Sequence, residues 1–74
     1  MIKATISYSG NEKYFAFETS IPKIPEKGDS IGFWHTDSYG DDVWLVAEVV
    51  NIIYEFNQNK TFDGIEINVS DQNV

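Results

Sequence analysis

Cysteine and arginine are both absent from the 74 residues, and there is a single histidine. The first absence removes disulfide frameworks, thiolate zinc sites and cysteine nucleophiles together. One imidazole is too few for a Cys2His2 or multi-histidine metal centre, and no cofactor is expected. Proline occurs only twice, and no stretch approaches the ~18 apolar residues of a membrane span. The amino terminus, MIKATISYSGNEK, alternates apolar with polar residues and so lacks the apolar segment of an export signal. With no cysteine either, a cytoplasmic location is expected. Positive charge is also scarce: five Lys stand against twelve Asp and Glu, for a net charge of −7. Such a surface repels a phosphate backbone rather than releasing its counterions, which argues against direct nucleic-acid binding.

What is present is apolar and aromatic. The apolar fraction is 42% and the aromatic fraction 15%, too high for a chain that avoids collapse. The length suits one domain, residues 1–74. A domain this small buries only about 60–65% of its unfolded surface. Without disulfides or a structural metal, its aromatic side chains must supply much of the burial, at about 150–250 Å² each. A homodimer that completes the core is the alternative route to stability.

The dominant periodicity is two, the strand period. Strands are predicted over residues 2–8, 13–21, 30–35, 43–56 and 61–69. In the first, Ile2, Ala4, Ile6 and Tyr8 share a face; in the second, Phe15, Phe17, Thr19 and Ile21 do. Ser9-Gly10-Asn11-Glu12 between them is turn chemistry, so the two form a hairpin. Pro22 and Pro25 cannot donate to a ladder, which makes 21–25 an irregular edge or crossing segment. Glu26-Lys27-Gly28-Asp29 then reads as a tight turn, with positive φ at Gly28 and the Asp29 carboxylate accepting nearby N–H groups.

Residues 43–56 fit two descriptions. Val43, Val46, Ala47, Val50, Ile53 and Tyr54 would line one side of a helix. Six of the fourteen positions are Val or Ile, however, and branched side chains suit sheets. A long strand, bent or bulged near Glu48–Asn51, is therefore expected. Ile65, Ile67 and Val69 face inward on the last strand, and Ser70–Val74 reads as a polar tail. The sum is an all-β chain: a small antiparallel five-stranded SH3-like barrel or a strongly curved sheet.

Ile24-Pro25-Glu26-Lys27-Gly28-Asp29-Ser30-Ile31, followed by Val43-Trp44-Leu45-Val46 and Val49-Val50, resembles a pattern of small bacterial and phage SH3-like β-barrel proteins. In these a Pro-x-x-Gly-Asp-x-hydrophobic turn opens a strand, and a loop leads to a second strand reading roughly aromatic-x-Val-x-x-Val. The resemblance covers about the middle half of the chain. It implies the barrel and no particular activity.

Catalysis is not expected. His35 has Ser30, Thr36 and Ser38 near it in sequence, but no nucleophile elbow or oxyanion motif accompanies them. Asp37, Asp41 and Asp42 lack the spacing and closing Glu of a calcium loop, so they read as a solvated turn. The remaining feature is aromatic: Trp34, His35, Tyr39 and Trp44 gather around the acidic loop of Asp37, Asp41 and Asp42. Aromatic anchors beside steering charges make a protein-recognition patch. The expectation is a non-enzymatic interaction module with a protein partner, a basic one given these carboxylates. Two other readings stand beside it: a sugar- or small-ligand-binding module, and an acidic nucleic-acid mimic that occupies a basic protein.

Overall fold

The computed structural model describes residues 1–10 and 13–71. Five strands follow one another: β1 (Ile2–Gly10), β2 (Lys13–Ile21), β3 (Ser30–Thr36), β4 (Asp42–Phe56) and β5 (Phe62–Asp71). They form one sheet in the order β2-β1-β5-β4-β3, curled into a half-barrel. The expected all-β curved sheet is present. Its antiparallel description needs one correction, because β1 and β5 run parallel, with Ala4 opposite Ile65 and Tyr8 opposite Val69. The other three pairings are antiparallel. β5 also continues through Ser70 and Asp71, assigned above to a tail, and the Tyr8 hydroxyl donates to the Asp71 carboxylate. In the predicted first turn, Asn11 and Glu12 lie outside the described residues, as do 72–74 of the predicted tail.

Alternation decides what fills the interior. Ala4, Ile6 and Tyr8 of β1, Ala47 and Val49 of β4, and Ile65, Ile67 and Val69 of β5 are buried on the concave face. Phe15, Phe17, Ile31, Phe33, Leu45 and Ile52 pack against them, and Ile24 of the crossing segment joins from below. The end strands β2 and β3 are not paired with each other in the sheet. Aromatic rings bridge them instead. Phe17 meets Phe33 at 5.2 Å, Phe15 meets Phe33 edge-on at 6.0 Å, and Phe15 stacks flat on His35 at 4.1 Å. Such pairs contribute about 0.5–1.5 kcal/mol each beyond the area they bury. This seam holds the sheet curled where a ladder would otherwise be required.

The bulge in β4 falls between Val49 and Asn51, inside the predicted window. The turn before β3 is docked onto that bulge. Gly28, at φ +95°, donates to the Val49 carbonyl at 2.9 Å, and the Val49 N–H donates to the Asp29 carbonyl at 2.8 Å. The Asp29 carboxylate accepts the Glu26 N–H at 2.9 Å, as its position in the motif predicts.

Candidate functional site

The β3–β4 hairpin carries the expected recognition residues, and strand alternation sorts them onto two faces. On β3, Ile31, Phe33 and His35 point inward, leaving Gly32 and Trp34 on the convex outside. On β4, Trp44 and Val46 point outward between the inward Val43, Leu45 and Ala47. The register places Trp34 directly opposite Trp44, and Gly32 opposite Val46. The two indoles meet edge to face, 5.3 Å apart at 61°. Both stay largely in solvent, Trp34 with 68% and Trp44 with 54% of its surface exposed.

Gly32 is what seats the pair. A Cβ at this position would stand 2.3 Å from the Trp44 ring, so the bare backbone lets that indole lie against the sheet. Neither Gly32 nor Val46 stands out as a site residue in the sequence. The available signal is that Gly32 lies two residues before Trp34, on the same face of the same strand. Gly32→Ala is expected to push the Trp44 ring off its seat at little cost to the fold, because the obstacle is the far end of a mobile side chain. Far-ultraviolet circular dichroism checks this: the exciton couplet of the indole pair should weaken while the melting temperature holds nearly constant.

The loop above the pair is organised by its own carboxylate. Asp37 Oδ1 accepts the N–H groups of Tyr39 and Asp41, both at 2.9 Å, and the Asp37 N–H donates to the Asp41 carbonyl at 2.8 Å. Asp42 Oδ1 accepts the Thr36 hydroxyl at 2.8 Å. Asp37 therefore shapes the turn, whereas Tyr39 and Asp41 project into solvent. Asn57 performs the same service in the β4–β5 turn, accepting from Asn59 and Thr61.

His35 does not join the indoles. It lies on the concave side, stacked on Phe15, and lines a shallow cleft of about 420 Å³ with Lys13, Tyr14, Asp37 and Ser38. An odd-numbered β3 residue takes the inner face because Ile31 and Phe33 do; the grouping of His35 with Trp34 by proximity in sequence is corrected by the pleat. Trp34, Trp44, Tyr39, Asp41 and Asp42 thus remain on one hairpin's outer side and tip, with Asp37 beneath them. From Ser30 to Phe56 the chain has five acidic residues and no Lys or Arg, so the hairpin that carries the indoles contributes only negative charge.

Searches against protein-family models, curated proteins and solved structures found no match to this chain. Among the described residues, no helix is long and apolar enough to cross a membrane.

Proposed function

We propose that this chain is a non-enzymatic protein-interaction module of the cytoplasm that docks a basic partner on the Trp34–Trp44 ridge. The observation that carries the reading is the pair itself: two indoles side by side on the convex face, exposed although the core is filled by other residues. Desolvating them against a partner supplies the apolar anchor. Asp41, Asp42 and Glu48 around them supply an acidic rim that steers a cationic surface and rejects an acidic one. The edge-to-face geometry supports a protein rather than a sugar partner, since a sugar ring is best met by a flat, exposed ring face on a concave surface. The flat stack of His35 on Phe15 supports a packing role for the only imidazole, not a catalytic one. A mimic of nucleic acid is a special case of the same docking, in which the partner's basic groove normally holds phosphates.

Capture from the source lysate tests this reading, with circular dichroism as a check on folding. The wild-type chain should retain a basic protein in a salt-sensitive manner. Trp34→Ala should weaken that capture by about 2 kcal/mol or more, roughly thirtyfold, with the melting temperature little changed. Unchanged capture removes the ridge from the interface. Unfolding of Trp34→Ala would show that the indole is structural instead.

A further inference from the structure

A second apolar surface lies at the opposite end of the molecule. β4 is 15 residues long, yet β3 covers only Asp42–Glu48 of it, and the Gly28–Asp29 turn adds bonds at Val49. From Asn51 to Phe56, β4 pairs with β5 alone, and among the described residues its other edge faces no strand. The β4–β5 hairpin projects there as an arm. Ile53, Tyr54, Phe56 and Phe62 on it are each between 42% and 61% exposed.

We propose that this edge pairs with the same edge of a second copy of the chain, antiparallel about a two-fold axis at Ile53. Three observations select a second copy as the occupant. The first is area. A monomer of 8.4 kDa should expose about 4,600 Å². This chain exposes 5389 Å², and the excess of about 800 Å² equals one partner's share of a standard stable interface. The radius of gyration agrees, at 13.2 Å against about 11 Å for a compact chain of this length.

The second observation is the absence of guards. Exposed edges are ordinarily protected by Lys, Pro or a twist that turns them away. Asn51-Ile52-Ile53-Tyr54-Glu55-Phe56 has neither Lys nor Pro, and four of its six residues are strongly strand-forming. The edge strand β2, in contrast, begins at Lys13 and is followed by Pro22.

The third is self-complementarity. Opposed residues of an antiparallel pair must share hydrogen-bonding direction, so a two-fold axis passes at a residue and not between two. At Glu55 it would oppose two carboxylates. At Tyr54 it would set each Ile53 against a Glu55. At Ile53 it sets Ile53 against its counterpart, Ile52 against Tyr54 of the second copy, and Asn51 against Glu55, with no like charges opposed. The proposed pairing is independent of the Trp34–Trp44 ridge, which lies nearer the other end of the sheet.

Sedimentation equilibrium of the full chain, from micromolar to submillimolar concentration, tests the proposal. The wild type should reach twice the chain mass. Its association should tighten with added salt, because each copy contributes a charge of −7 that salt screens. Ile53→Lys opposes two ammonium groups at the axis and should weaken the dimer at least about tenfold. In the monomer the new Lys stands opposite Glu66 of β5, a favourable pair that preserves the fold. Asn51→Lys creates two Lys–Glu55 pairs between copies and should tighten the dimer roughly threefold or more. It decides the matter alone if Ile53→Lys fails to fold. A single-chain mass at every concentration overturns the proposal. So does a dimer indifferent to both substitutions, or one abolished by Trp34→Ala and untouched by Ile53→Lys.

Discussion

Ile67→Ala is expected to remove about 4 kcal/mol of folding stability. Ile67 is fully buried in the middle of β5, the central strand of the sheet. It stands opposite Ile6 on the parallel side and Ile52 on the antiparallel side. Truncation removes three carbons from a site walled by backbone ladders on both flanks, which limits how far the surroundings can collapse into the space. Leu and Ile truncations in such sites cost about 2–5 kcal/mol, the upper part of the range applying where the cavity persists. A 74-residue domain has a total stability of only about 4–11 kcal/mol. Urea titration followed by far-ultraviolet circular dichroism should therefore show a midpoint lowered by about a third or more, down to a chain unfolded from the start where the total is near 4 kcal/mol. A loss below about 1 kcal/mol would mean that the concave face is loosely packed. The same titration on Trp34→Ala should barely move, which separates the residues that hold the sheet from those proposed to meet a partner.

The concave face was largely legible because its strands obey strict alternation. Ile2, Ala4, Ile6 and Tyr8, and Ile65, Ile67 and Val69, declare their side at a spacing of two. β4 was ambiguous for a definite reason. Its inward residues are Val43, Leu45, Ala47 and Val49, and then Ile52, because the bulge after Val49 inserts one residue and reverses the parity. A step of three in a run of twos imitates helical spacing, and the density of branched residues, the lack of a capping Gly and the need for enough strands to close a sheet told against a helix. The parallel pairing of β1 with β5 was not legible. Nothing local marks it; it follows from the crossing segment of Pro22 and Pro25, which carries the chain from β2 beneath the open end to β3 on the far side of the sheet. Trp34 could be placed outside from Ile31 and Phe33. The seat for Trp44 could not be read, because Gly32 acts through a missing atom. The exposed edge of β4 was hidden too: the strand's length was visible, but not that β3 stops seven residues along it.

Gly64→Ala is expected to cost about 3 kcal/mol, and Gly28→Ala about 1–2 kcal/mol, although both residues have positive φ. The difference comes from what surrounds them. Gly28, at φ +95°, has open space where a Cβ would stand, so alanine there carries backbone strain alone. Gly64, at φ +135°, is buried, and its Cβ would sit 3.0 Å from the carbonyl oxygen of Lys3. That oxygen belongs to backbone and cannot swing aside as a side chain would. Gly64 also occupies the second irregularity of the β4–β5 ladder, where Glu55 opposes Gly64 and Phe56 opposes Phe62. One residue later the parallel ladder begins with Ala4 opposite Ile65. A side chain at 64 therefore forces β1 away from β5 at the point where the arm leaves the body of the sheet. Thermal melts of the two alanine variants compare backbone strain alone at Gly28 with strain at a wider φ plus the close approach at Gly64. Equal losses would mean that β1 and β5 can part locally without cost. A larger loss at Gly64, accompanied by faster hydrogen exchange at Ile65 and Glu66, would show that this contact joins the arm to the core.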